Sequence, residues 1–232
     1  MSRSTNVMNT ATPPVYEWNT RPWKQIERRV FKLQKRIYQA SQRGDTATVH
    51  KLQRLLLRFW SAKQLAVRQV TQDNQGKRTA GIDGVKSLTP PQRHARDRAT
   101  QALVKLALEP EWEARFEPNS YGFRPGRSGH DAIEAIRSCT CLKPKYVLDA
   151  DIAKCFDRIN HQALLTKLAT FPTLRRCIRR WLQAGVMNGS ELFPTTAGTP
   201  QGGVISPLLA NVALHGLETM VQATAPRHKV NV

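Results

Sequence analysis

Apolar residues recur along this chain at helical spacing in its first third and last third, and between these lies one short, densely apolar run punctuated by acids. Residues 1–20 are polar, contain Pro13-Pro14 and show no period, so a mobile tail is expected. From Pro22 the pattern changes. Ile26, Val30, Leu33 and Ile37 follow at steps of three and four, with Lys24, Arg28 and Lys35 on the opposite side, which predicts an amphipathic helix with a basic back. Gly44-Asp45 breaks it, and a second helix capped by Asp45 or Thr46 is predicted to bury Val49, Leu52, Leu56, Phe59, Ala66 and Val70. Residues 21–78 therefore read as a helical hairpin.

The stretch 79–225 reads as mixed structure. Gln75 to Gly84 is a glycine-punctuated loop, and a helix from about Arg98 is amphipathic through Ala102, Leu103, Leu106 and Ala107, closed by Pro110 or Pro118. Tyr121 to Ser128 is rich in turn residues, and 129–138 reads as a short helix with Ile133 and Ile136 inward. Tyr146 to Ile152 is predicted to be a strand with Asp149 and Asp151, two apart, leaving one face. Residues 161–184 read as helix with Leu164, Leu168, Ile178 and Leu182 inward. After the loop Gly198 to Gly203, Ser206-Pro207 predicts a cap with proline at the first helical position and a helix to about Val221. Residues 226–232 are read as a tail. The fold class expected is α/β (α+β): a basic helical hairpin on an incomplete core.

Charge sharpens this picture. The net charge of +19 points to a polyanionic partner such as nucleic acid, with a membrane surface second. Between Arg21 and Arg78 fifteen Lys or Arg face three Asp or Glu, so 15 − 3 = +12 of that charge lies in the predicted hairpin. Solvated amphipathic helices usually balance the two signs in i,i+4 pairs, whereas here the first helix has only Glu27. A second basic cluster, Arg175, Arg176, Arg179 and Arg180, reads equally well as a solvated face. No run of eighteen apolar residues exists and the N-terminus lacks a secretory apolar core, so a cytoplasmic protein without a membrane partner is expected. Cys139, Cys141, Cys155 and Cys177 lack zinc-site spacing and are read as reduced thiols.

A carboxylate at the end of a buried strand requires a cationic neighbour or a divalent ion, or else it caps the helix that follows. Asp151 is followed by Phe156-Asp157, giving Asp-x-x-x-x-Phe-Asp, which resembles the A motif of template-directed polymerases. Thr195 to Asn211 resembles the B motif of reverse transcriptases, and Tyr121-Gly-Phe-Arg-Pro-Gly-Arg-Ser128 resembles the block before the A motif. Together they resemble the reverse transcriptases encoded by group II introns, which double as splicing maturases. That resemblance implies an incomplete right-hand fingers and palm, with Asp151 and the carbonyl of Ile152 as Mg²⁺ ligands. It implies Phe156 as a steric gate against the 2′-hydroxyl, and Gln201 and Gly202 as the floor of the nucleotide pocket. It puts Arg124 and Arg127 near the template path, although an Arg pair satisfying nearby carbonyls fits the residues too. It makes the basic hairpin, with Lys24, Arg28 and Lys35, a holder of intron and template RNA, and it leaves room for a DNA primer.

The chain also departs from that family. Only Lys86 to Ala95 separates Val85 from the next helix, too little for the fingertip strands, and no Asp follows Asp157 to form the tyrosine-x-aspartate-aspartate hairpin. The expectation is a truncated reverse transcriptase that binds RNA and does not polymerise alone. Its alternatives are a non-catalytic RNA-binding splicing cofactor, or half of a split enzyme completed by a second polypeptide.

Overall fold

The computed structural model describes residues 21–73, 93–141, 149–184, 186–188, 191–193, 197–199 and 203–224. These residues are mainly helical, which corrects the α/β expectation: the strands among them are β1 (Val186–Asn188) and β2 (Glu191–Phe193), three residues each, paired antiparallel as a hairpin. Of the predicted central strand, residues 149–152 are described and are not strand, while 146–148 lie outside the described residues. The glycine loop and the start of the short connection after it, residues 74–92, also lie outside them, and the last three residues of that connection, 93–95, belong to the helix Arg93–Glu113. The helices are α1 (Trp23–Gln42), α2 (Thr46–Arg58), α3 (Trp60–Arg68), α4 (Arg93–Glu113), α5 (Gly129–Thr140), α6 (Cys155–Arg158), α7 (His161–Leu168), α8 (Pro172–Leu182), α9 (Ser206–Leu214) and α10 (Leu217–Thr224).

The first helix follows its pattern: Ile26, Val30, Leu33 and Ile37 are buried, and Lys24, Arg28 and Lys35 are exposed. Asp45 caps α2 by accepting a hydrogen bond from the Thr48 N–H at 2.9 Å. The predicted second helix is in fact two. Phe59 adopts an extended conformation (ψ 122°) that ends α2 and starts α3, and the last turn of α3 widens into a π-type turn over Gln69–Asp73. Sequence period alone carries across such a break because Ala62, Ala66 and Val70 stay in phase with the buried face.

Helix α4 is the shared wall of the molecule. It begins earlier than predicted and passes through Pro110, and it is not amphipathic: every residue from Gln101 to Trp112 is buried or half-buried. Ala107 joins the core of α1, α2 and α3, whereas Val104, Leu108 and Trp112 join that of α7, α8 and α9. A third small core, Ala66, Val70 and Ala102, seals α3 against α4.

A proline inside a helix lacks the N–H that should reach the carbonyl four residues back. Here that carbonyl belongs to Leu106, and Gln34 of α1 donates to it from Nε2 at 3.0 Å. The same region is tied by Gln53, fully buried, whose Nε2 donates to Ala107 O at 3.2 Å and to Glu111 Oε2 at 2.6 Å. Ser41 Oγ donates to Glu111 O at 2.9 Å. Burial pushes the Glu111 carboxyl upward in pKa, opposed by Arg115 at 2.8 Å and by Gln53.

Other elements depart from their sequence patterns. Helix α5 exists, held by a Ser128–Asp131 capping box, but Ile133 and Ile136 are 64% and 63% exposed rather than inward. Pro172 divides the predicted 161–184 helix into α7 and α8, which keep Leu164, Leu168, Ile178 and Leu182 buried. Helix α9 starts on Ser206 after Ile205 and stops before Gly216 (φ 94°), so the run to Val221 is broken in two. Among the described residues, no helix is long and apolar enough to cross a membrane.

The Pro110 arrangement predicts a specific coupling. Gln34→Ala leaves the Leu106 carbonyl without its donor and should cost about 1–2 kcal/mol in urea unfolding. In a Pro110→Ala background, where the helix N–H returns, the same change should cost much less. Equal costs in both backgrounds would separate Gln34 from the proline.

Candidate functional site: the joined motif blocks

The three blocks that carry the family resemblance meet in space. Residues 197–199 cross the end of α6 and are clipped to it through backbone groups. Thr199 N–H donates to Phe156 O at 2.7 Å, and Gly198 N–H donates to Ile159 O at 2.8 Å. His161 Nε2 and Gly198 O lie 2.6 Å apart, and because a carbonyl only accepts, the ring nitrogen is the donor. Gly198 lies at φ 90°, and a Cβ there would stand 2.8 Å from the carbonyl oxygens of both Phe156 and Asp157. Only glycine satisfies both the backbone angle and the approach.

The upstream block enters from the other side. Phe123 meets Phe156 edge to face, with ring centroids 6.2 Å apart at 80°, and Asn211 of α9 donates from Nδ2 to Gly122 O at 2.8 Å. Phe123 itself holds φ 57°, uncommon for a bulky residue and a position of backbone strain beside Phe156. Sequence reasoning selected the blocks but not His161, Phe123, Asn211 or Gly198 as the residues that join them. The available signals were the glycine before Thr199-Pro200 and the His directly after Asn160, the α7 cap, whose Oδ1 accepts from Ala163 N–H at 2.8 Å.

The sequence-predicted site residues divide into separate places. Asp151 and Ile152 are exposed on a cleft of about 630 Å³ between α6, α7 and α9, whose lining includes Arg158, Lys167 and Leu214. Phe156 is half-buried against the core beside the clasp and does not line that cleft. Gln201 and Gly202 lie outside the described residues. Arg124 is buried: its Nε and Nη2 grip the Glu113 carboxylate at 2.8–3.1 Å, and Nη1 donates to the carbonyls of Glu117 and Ser120 at 2.7 and 2.8 Å. Arg127 donates to Pro118 O at 2.5 Å and stacks over Tyr121, its cation 5.2 Å from the ring centroid. Lys24, Arg28 and Lys35 stand apart on α1, and no ion pair engages them among the described residues.

The cleft floor is organised by charge. Lys167 Nζ donates to Ala213 O at 2.9 Å and to His215 O, placing a cation on the C-terminal carbonyls of α9, and burial lowers its pKa. Glu117 closes the same joint from below, accepting from His215 Nδ1 at 2.7 Å and from the Gly216 N–H at 2.5 Å. Burial raises the Glu117 pKa, but these hydrogen bonds outweigh it and hold the carboxyl below its usual range. For Mg²⁺ the fit is poor: among the described residues no group of three or more His, Cys, Asp or Glu side chains converges on one point.

The clasp gives a direct prediction. Gly198→Ala places a methyl against two fixed carbonyls at positive φ and should destabilise the protein by roughly 2–4 kcal/mol, read as a lower thermal midpoint. Gly44→Ala, also at positive φ (72°) but with nothing within 4 Å of its Cβ, should cost only about 1 kcal/mol. Similar losses in the two variants would remove the close approach as the cause.

Residues 18–99 match the family described as the N-terminal domain of reverse transcriptase, and residues 91–232 match reverse transcriptase (RNA-dependent DNA polymerase). The group II intron-encoded protein LtrA of Lactococcus lactis subsp. cremoris is 37% identical over 129 residues, 54% of this chain and 21% of its own length. Protein YkfC of Escherichia coli K12 is 36% identical over 130 residues, 52% of this chain and 33% of its own. Maturase-like protein 1 of Euglena gracilis is 27% identical over 239 residues, covering 85% of this chain and 51% of its own length. The chain thus spans about half the length of these relatives or less. With the second family match alone extending from residue 91 to residue 232, the chain belongs to the reverse transcriptase (RNA-dependent DNA polymerase) family, among relatives that include group II intron-encoded and maturase-like proteins.

Proposed function

We propose that this chain binds structured RNA, that of a group II intron or a template, through the outer face of α1, and that the 232-residue polypeptide does not extend a primer by itself. The observation that carries the first half is electrostatic. Lys24, Arg28 and Lys35 are exposed on a helix whose one acid, Glu27, is already paired with Arg68 at 3.1 Å. Arg68 in turn stacks over Trp23 with its cation 4.8 Å from the ring. Fixing Glu27 in that way leaves the α1 surface basic without a compensating carboxylate, which is the charge balance a phosphate backbone requires.

The second half rests on the metal fit. Template-directed phosphoryl transfer depends on two divalent ions held by several hard oxygens. Asp151 with the carbonyl of Ile152 would be the Mg²⁺ ligands, and one carboxylate with one carbonyl holds a strongly hydrated dication weakly. No catalytic step is assigned to this pair. Phe156, Gln201 and Gly202 would border a bound nucleotide, and a DNA primer would be the partner of a metal site with further carboxylates.

Two measurements follow. Binding of the full chain to a structured RNA should weaken steeply with salt, and replacing Lys24, Arg28 and Lys35 with Ala should reduce the slope of log K against log[salt] by about 2–3; an unchanged slope places the contacts elsewhere. Incubation with primed RNA template, deoxynucleotides and Mg²⁺ or Mn²⁺ should give no extension. Extension abolished by Asp151→Ala would overturn the second half and show that further carboxylates complete the site.

A further inference from the structure

The outer face of α1 carries more than charge. At 100° per residue, Lys24, Arg28, Phe31, Lys35, Tyr38 and Gln42 fall on one line, at steps of four, three, four, three and four, nearly opposite the buried Val30, Leu33 and Ile37. Along about 21 Å of helix, from Lys24 to Tyr38, two cations are thus followed by a ring, a cation and a second ring. Phe31 is 65% exposed and Tyr38 36% exposed, and the Tyr38 hydroxyl accepts from Gln42 Nε2 at 3.2 Å, which steadies the phenol against the helix. Lys32 and Arg36 are exposed along one border of the line.

An exposed aromatic ring taken singly needs no explanation. Phe31 between Arg28 and Lys35, with Tyr38 one turn beyond Lys35, does, because the pattern matches what unpaired nucleotides offer: phosphates with base faces between or beside them. A regular duplex offers only phosphates and sugars to a convex helix surface, since its bases are stacked inside and its A-form major groove is too narrow to admit side chains. Cations alone would serve a duplex; the interposed rings gain nothing from it. A protein partner for Phe31 would have to cover the flanking cations with acids.

Resting on the RNA-binding reading above, the geometry points to unpaired nucleotides, in a loop or bulge, as the part of the RNA that α1 grips. Phe31 and Tyr38 stack on bases while Lys24, Arg28 and Lys35 hold the adjoining phosphates. Residues 31 and 38 thereby set the preference for looped over paired RNA.

The test uses the full chain and two labelled RNAs of equal nucleotide count, a hairpin with a loop of unpaired residues and a blunt duplex, titrated by fluorescence anisotropy at one salt concentration. The chain should prefer the hairpin, and Phe31→Ala with Tyr38→Ala should weaken hairpin binding about tenfold or more while leaving duplex binding and the thermal midpoint unchanged. Lys24→Ala, Arg28→Ala and Lys35→Ala together should weaken both RNAs. If the aromatic variant weakens both RNAs equally, or neither, while the cation variant still weakens both, base stacking is overturned and the charge reading survives. If the cation variant changes neither, RNA binding by α1 is itself wrong. Loss of self-association in the aromatic variant, with RNA binding intact, would overturn the inference and assign the rings to a protein contact.

Discussion

A helix covered on every side must find partners all round, and α4 from Gln101 to Trp112 is such a segment. Its burial on two flanks is what makes the N-terminal helices and the α7–α9 group parts of one folded unit. Each buried methylene there contributes through transfer from water, and each buried polar atom must find a partner. The partners come from α1 and α2: Gln34 for the carbonyl that Pro110 strands, Gln53 and Ser41 for Glu111 and its backbone. On the opposite flank, Trp181 of α8 donates from Nε1 to Asp97 at 2.7 Å, so α8 too is oriented by a polar contact with α4. The basic face of α1 is thus built on helices whose positions are fixed from within.

Much of the N-terminal region was legible because each helix there shows the solvent one face. The 3.6-residue period, the Gly44-Asp45 break and the Asp45 cap sufficed for α1 and α2. The α2–α3 break was not, since Phe59 turns the chain without glycine or proline while the buried phase continues beyond it. Helix α4 was misread for the opposite reason: from Gln101 to Trp112 every side is covered, so Ala102, Leu103, Leu106 and Ala107 marked only part of what is buried, and its interior proline looks like a stop signal until Gln34 is seen supplying the missing bond. The α/β expectation failed on residues 149–152. Local composition favoured a strand there, but pairing depends on distant chain that composition does not specify.

The candidate site was legible in part. Three blocks were found by residue pattern, and the fold brings all three together. The pattern could not say how they touch, because some contacts run through backbone carbonyls and a glycine, and the side chains that make the others, His161, Phe123 and Asn211, carry no mark of their distant partners. Arg124 illustrates the ambiguity of a cation in a turn. Its neighbours Glu113, Glu117 and Ser120 lie within eleven residues in sequence, yet only the turn after α4 brings them around one guanidinium.

The clasp between residues 197–199 and α6 has a consequence for what this surface can become. Two of its acceptors are the main-chain oxygens of Phe156 and Ile159, groups that every amino acid possesses. Side chains at those positions can therefore change with the shape of whatever they face without loosening the joint. The restriction falls instead on position 198, where nothing larger than hydrogen is tolerated, and on position 161, whose ring nitrogen donates to the Gly198 carbonyl. Variation in specificity and permanence of architecture are thereby assigned to different atoms of the same few residues.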